Sequence, residues 1–397
     1  MGEVSSQDQA AFSRDAHVSV GAGAGAAQLE SAITAQIESV GVARSEGAEA
    51  LRPESAGAVQ SEGTGTTHSE GEGRSLKTIP ESELEQHPFA FWQRRKKGKF
   101  REVEPPVLGS SVADTHAHLE MLDHPEVHLA RCAYHGVGFI CAMTDPSEDP
   151  DTTFENLEMW QEEAKAFLQK VGRGDYVKRL PHIRIATGVH PHNAKDYDDE
   201  IEALLIKRLH DPRTCALGEV GLDYHYDLSP REVQRQVFRR QIRLAKKAGV
   251  PLILHMREAH DEGFAILEDE GFPEAGVLLH CFNLDVQVLK PWAQANCYIA
   301  YGGPLTFKKA EEVRDAARYV AQDRLLTETD SPYMTPEPMR GMECGPEHTI
   351  FTAAKLLEVR QCTSDEQQKS FLELLYHNAL GLLDRKPTSW QLESSAY

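Results

Sequence analysis

The chain has 397 residues, 40% of them hydrophobic and 26% charged, which allows one large domain or two smaller ones and is ordinary for a soluble protein. Its formal net charge of −20 argues against indiscriminate binding to polyanions. No apolar run is long enough to span a membrane, no basic-then-apolar segment opens the chain, and the seven scattered cysteines lack a C-x-x-C spacing; a cytoplasmic protein with reduced thiols and no membrane partner is expected.

Residues 1–85 are rich in Ala, Gly, Ser and Glu, repeat Ser-Glu-Gly at Ser45, Ser61 and Ser69, and hold 14 Asp/Glu against 5 Lys/Arg. Such a segment buries too little apolar surface to offset its ordering entropy, so a disordered acidic tail of unknown partner is expected. Within it Leu29, Ile33, Ile37 and Val40 are spaced as one face of a helix, either transient or a docking element. Residues 86–106 read as a linker. It carries a basic cluster at 94–101, Arg-Arg-Lys-Lys-Gly-Lys-Phe-Arg, with Trp92 and Phe100 near enough to stack on bases. A nucleic-acid arm, a solvated linker and a partner for the acidic tail are all consistent with that composition.

From about residue 107 short β-like runs alternate with helical stretches. Strands are predicted near 111–114, 137–142, 182–187, 215–219, 251–255, 277–280, 297–301 and 325–328. Eight strand–helix units between 107 and 386 fit a closed (β/α)8 TIM barrel, usually ~250 residues, of α/β class; residues 387–397 are left as a tail. Ser229-Pro230-Arg231-Glu232 predicts a capping box, with Val233, Val237, Ile242 and Ala245 as the buried face of the helix that follows.

Metal-capable residues recur at the ends of these runs. His116 and His118, two apart on an extended strand, point the same way and can grip one metal. Glu219 ends the fourth predicted strand, His255 the fifth and His280 the sixth, and Asp330 follows the eighth. In these barrels chemistry sits at the carboxyl ends of the strands, so all six are expected at one mouth. Six such groups without a cation would be a costly cluster of unpaired polar side chains. Mixed His and carboxylate ligands suit Zn²⁺, Mn²⁺ or Fe²⁺, and the carboxylates also admit Mg²⁺.

The ordered motifs Asp-Thr-His-Ala-His-Leu (114–119), Gly-Val-His-Pro-His (188–192), Gly-Glu-Val-Gly-Leu-Asp-Tyr (218–224), Leu-His-Met-Arg (254–257), His-Cys-Phe (280–282) and Glu-Thr-Asp-Ser-Pro-Tyr (328–333) resemble the TatD family of metal-dependent hydrolases. The resemblance covers roughly residues 112–384. It implies two divalent metal ions: His116, His118 and Asp330 would hold one, His255 and His280 the other, and Glu219 would bridge them. Related barrels usually bridge with a modified lysine, which this chain lacks near that strand end. Two metals about 3.5–4 Å apart can lower the pKa of a shared water, which would attack a phosphodiester while Asp330 orients it and takes its proton. His190 and His192 would hold the scissile phosphate or hydrogen-bond to metal-binding carboxylates. Arg257 would bind phosphate or make a structural ion pair. Substrate-facing loops differ from the family pattern: Asn283-Leu284 stands where Ser-Gly is usual, Met342 to Pro346 where an Asn-Glu-Pro element is common, and the 145–180 connection is long. The resemblance implies a deoxyribonuclease first. A D-aminoacyl-tRNA deacylase or other ester hydrolase comes second, and a non-catalytic binding platform third.

Overall fold

The computed structural model describes residues 86–149 and 151–393; the expected tail, and with it the Leu29–Val40 helix, lies outside the described residues. A two-stranded antiparallel hairpin, β1 (Phe91–Arg94) and β2 (Phe100–Val103), precedes eight parallel strands. These are β3 (Val112–Ala117), β4 (Val137–Thr144), β5 (His182–Thr187), β6 (Thr214–Asp223), β7 (Leu252–Arg257), β8 (Val277–Leu279), β9 (Tyr298–Tyr301) and β10 (Leu325–Thr327). Helices follow them in alternation: α1 (Pro125–His135), α2 (Thr152–Lys170), α3 (Asp199–Leu209), α4 (Arg231–Ala248), α5 (His260–Glu270), α6 (Val286–Gln294), α7 (Glu311–Tyr319) and α8 (Thr349–Val359). Two more, α9 (Asp365–Leu383) and α10 (Ser389–Leu392), complete the chain. All eight predicted strands are present, and the fold is the expected TIM barrel.

Helices cover the outer face of the parallel strands, and side chains fill the inside. Val112, Ile140, Ile185, Leu217, Leu252, Leu254 and Ile299 therefore pack outward on the helices, while Phe139, Cys141, Ala186, Cys215, Ile253, Leu278, Ala300 and Leu326 fill the interior. Ala379, Leu382 and Leu383 of α9 join this inner cluster and seal its base. Cys141, Cys215 and Cys297 are all buried and serve as small core residues.

The ladder runs from β10 to β3 without a regular pairing between those two. Side chains and one bridge stitch the seam. Thr327 Oγ1 donates to the Ala113 carbonyl at 2.6 Å, Thr115 Oγ1 donates to the Thr327 carbonyl at 3.1 Å, and Ala117 bridges Ser331. The backbone N–H of Asp330 donates to the His116 carbonyl at 2.9 Å, which puts residues from the two ends of the barrel sequence side by side.

Three local expectations give way. The 86–106 linker contains the hairpin, whose Phe91 is fully buried against His135, His348 and Phe351. The 387–397 tail contains α10, where Gln391 is buried and donates to the Leu209 and Thr214 carbonyls. The capping box at Ser229 does not form: α4 starts with Pro230 as its cap, and the Ser229 hydroxyl donates to the His192 carbonyl and accepts from the Lys195 N–H. A tertiary partner for the hydroxyl outcompetes the local one. On α4 Val233 is half-buried and Gln234 takes the inward position.

Candidate metal centre

Both first-strand histidines lie where β3 meets the seam. The β3–β4 register shifts between Asp114 and Ala117, and a second shift on β6 falls between Leu217 and Val220. Such irregularities re-aim side chains beside active sites; here they turn His116 and Glu219 into the mouth. Gly221 makes the β6–β7 approach possible: its φ is +150°, and a Cβ there would lie 2.0 Å from the His255 carbonyl oxygen. Asp330 has φ 63°, an αL conformation that Asp tolerates better than most residues, as the chain turns away from β10.

Glu219 is the hub. Its Oε2 lies 3.1 Å from His116 Nε2 and 3.8 Å from His118 Nε2. Its Oε1 lies 2.5 Å from His255 Nδ1, 2.6 Å from His280 Nε2 and 3.7 Å from His190 Nε2. Asp330 Oδ1 closes the first side, 3.7 Å from both His116 Nε2 and His118 Nε2. Each carboxylate oxygen of one buried residue thus faces its own set of imidazoles. The six residues expected at one mouth are brought together there, and the groups His116/His118/Glu219, His116/His280/Asp330 and Glu219/His255/His280 could each hold an ion.

The electrostatics fit a cation. Burial would raise the Glu219 carboxyl, but the imidazoles of His280 and His116 outweigh it and hold the group well below the usual range. Burial, with His280 adding, pulls His116 down to about 3, which leaves it neutral and able to ligate. Burial also disfavours the charged form of His118, yet Glu120, Glu219 and Asp330 lift it to about 9. Glu219 and Asp223 likewise lift His255 to about 9 against its burial. Protons on these two rings supply the positive charge that the carboxylates demand, and a divalent cation would exchange for them. Burial, aided by Glu219, raises the Asp330 carboxyl.

His190 and His192 sit at the rim of this cluster. His192 Nε2 is 2.8 Å from Asp223 Oδ2, which is also 3.2 Å from His255 Nε2. Arg257 makes no ion pair among the described residues; its guanidinium lies 4.5 Å from the Tyr226 ring centroid, and Tyr226 packs edge-on against His192.

Sequence reasoning missed the groups that hold these side chains still. Buried Asp223 accepts from the His225 and Tyr226 N–H groups and is itself fixed by Gln234, whose Oε1 accepts from the Asp223 N–H and whose Nε2 donates to its carbonyl. Gln241, two turns along α4, holds both backbone groups of Val189, next to His190. Asp114 accepts from the His116 and Thr329 N–H groups and the Thr329 hydroxyl, and burial pushes its carboxyl up to about 8. Glu328 accepts from the Cys281 N–H and lies 3.7 Å from His280 Nδ1; burial, then Asp330, pushes it well above the usual range. Asp145 accepts from the His190 N–H and from Asn193. The period-two spacing of Asp114 with His116, and of Glu328 with Asp330, was the signal available for two of them.

Residues 113–379 match the family described as TatD related DNase. The chain belongs to the TatD family. The Escherichia coli K12 protein YcfH, named a metal-dependent hydrolase, is 35% identical over 276 residues, covering 66% of this chain and 95% of YcfH. The human protein named the 3'-5' RNA nuclease TATDN2 is 30% identical over 274 residues, covering 64% of this chain but 33% of that protein. Among solved structures, the TatD homologue YJJV of Escherichia coli K12 superimposes with a TM-score of 0.57 at 26% identity, over 69% of this chain and 98% of YJJV. A TatD family hydrolase from Entamoeba histolytica shares the fold with a TM-score of 0.54 at 18% identity, over 70% of this chain and 99% of its own. Membership makes this chain one of a family of metal-dependent hydrolases. Among the described residues no helix is long and apolar enough to cross a membrane.

Proposed function

We propose that the chain is a nuclease that hydrolyses phosphodiester bonds in DNA with the help of two divalent cations, Zn²⁺, Mn²⁺ or Mg²⁺. The observation that carries this reading is the division of Glu219: one oxygen toward His116 and His118, the other toward His255 and His280. His116, His118 and Asp330 would hold one ion, His255 and His280 the other, with Glu219 shared. When bound, such a pair lowers the pKa of a shared water and neutralises charge on a phosphoryl oxygen.

The chain's own groups do the rest. Asp330, facing the first pair of imidazoles, orients the water and accepts its proton at Oδ1. Arg257, free of any acid partner among the described residues, binds the scissile phosphate as a bidentate donor. His190 sits where it can share that phosphate. His192, bound to Asp223, steadies the phosphate side of the mouth through the same carboxylate that orients His255.

RNA is the second reading, favoured by the name of the human relative as a 3'-5' RNA nuclease. The test is hydrolysis of end-labelled single-stranded DNA and RNA by metal-stripped protein resupplied with Mg²⁺, Mn²⁺ or Zn²⁺, with Glu219→Ala in parallel. Metal-dependent release of nucleotides, absent in the variant, is the expected result. No cleavage of either polymer by folded, metal-loaded protein would reject the nuclease and turn attention to carboxylic esters such as aminoacyl-tRNA.

A further inference from the structure

We infer that the basic hairpin is a docking surface for the sugar–phosphate backbone of a single-stranded polynucleotide whose reacting bond lies at the barrel mouth; this rests on the nuclease reading. The hairpin lies outside the family-matched segment 113–379. Its turn is closed by the Arg95 N–H donating to the Lys99 carbonyl, with Lys97 at φ 65°. Arg94, Arg95, Lys96, Lys97, Lys99 and Arg101 radiate from it, all exposed.

Their pairing is unlike that of several exposed arginines elsewhere in the protein. Arg213, Arg235, Arg239, Arg243, Arg314 and Arg318 each hold a carboxylate. None of the six hairpin cations has an acid partner among the described residues; Arg95 reaches only the side-chain oxygen of Gln93. Glu102 and Glu104 stand at the base, too few to neutralise the tip. In a chain of net charge −20, six clustered cations without an acid partner among the described residues make a place where a polyanion can be held.

Position decides the occupant. Buried Phe91 and two Arg131 hydrogen bonds, to the Pro88 and Ala90 carbonyls, root the hairpin on the barrel. Gln93 Nε2 donates to the Pro338 carbonyl at 2.7 Å, on the loop that leaves the strand end bearing Asp330. That loop is tied to the one after β9 by the Glu337 N–H donating to Thr306 Oγ1, and the two carry Arg340 and the exposed Lys308 and Lys309. The cations therefore extend along the rim on the Asp330 side of the centre. A strand cleaved at the mouth would have its neighbouring phosphates there. A small phosphodiester has no such neighbouring phosphates, so the occupant inferred for the hairpin is a polymer.

The test is binding of a fluorescent 20-nucleotide DNA, and its RNA counterpart, to the full-length Asp330→Asn chain with and without Lys96→Ala/Lys97→Asn/Lys99→Ala, across a salt series. Asparagine tolerates the αL backbone at 97, and a thermal melt checks folding. Neutralising three cations should weaken binding about tenfold at low salt and flatten the log–log salt slope by about 2. Equal affinity and slope would overturn the hairpin while leaving the nuclease reading intact. Tighter binding would also overturn it. No binding of either polymer to either protein would remove both inferences.

Discussion

The interior and the mouth of the barrel are made by the same eight strands and filled on opposite terms. Inside, Phe139, Cys141, Ala186, Ile253, Leu278 and Leu326 pack on one another and on Leu382 and Leu383 of α9. A few residues along, at the carboxyl ends, the strands and the turns that leave them present His116, Glu219, His255, His280 and Asp330, polar groups that satisfy one another incompletely. The interior stabilises by excluding water, and the mouth stores unmet demand for charge. A change in one should therefore register as stability and in the other as chemistry.

The largest expected effect is at the hub. Glu219→Ala should lower turnover by on the order of a thousandfold or more, since several kcal/mol of transition-state stabilisation depend on the cations it would share. Its melting temperature should stay within a few degrees of the parent; a cooperative loss of fold at the same rate as activity would break the contrast. The mirror case is Phe139→Ala, fully buried in the interior. It should cost about 3–5 kcal/mol in denaturant unfolding while activity per folded molecule is retained.

Between the two lie the residues that hold the mouth in place. Gln234→Ala leaves the Asp223 N–H and carbonyl without their side-chain partner and frees the carboxylate that faces His192 and His255. A roughly 10–100-fold loss of metal affinity or activity is expected, with about 1–3 kcal/mol of stability. Measuring metal affinity and unfolding on the same preparation separates the two; a stability loss alone would make Gln234 a purely structural residue.

The smallest effect concerns a charged cluster away from the centre. Burial opposes ionisation of Glu347, but His128 and Arg131 outweigh it and hold the carboxyl well below 4.5. A depressed carboxyl contributes stability above its unfolded pKa and loses it as pH falls through the folded one. Acid titration of unfolding should therefore show stability falling below about pH 4.5, and Glu347→Gln should flatten that fall. An identical pH profile in the variant would remove Glu347 from the account.

Much of this was legible in the residues. The alternation of short apolar runs with helical stretches located every barrel strand, because strands buried on both faces leave a strong local pattern. His116, His118, Glu219, His255, His280 and Asp330 were legible because each ends such a run. What escaped depends on partners far away in sequence. Phe91 and Gln93 look like part of a charged linker until Phe351 and Pro338 meet them. Ser229 and Glu232 spell a cap, but the hydroxyl is taken by the segment after His192. Gln234 and Gln241 occupy buried positions on α4 where an apolar residue would be expected, and only the folded strand ends show what they bind.

The central claim is that one carboxylate joins two cation sites, and metal stoichiometry tests it most directly. Elemental analysis of the purified full-length chain, equilibrated with Zn²⁺ or Mn²⁺ and freed of excess, should find two ions per chain, and at most one in Glu219→Ala. A single ion in the parent, or two retained by the variant, would contradict the shared role of Glu219.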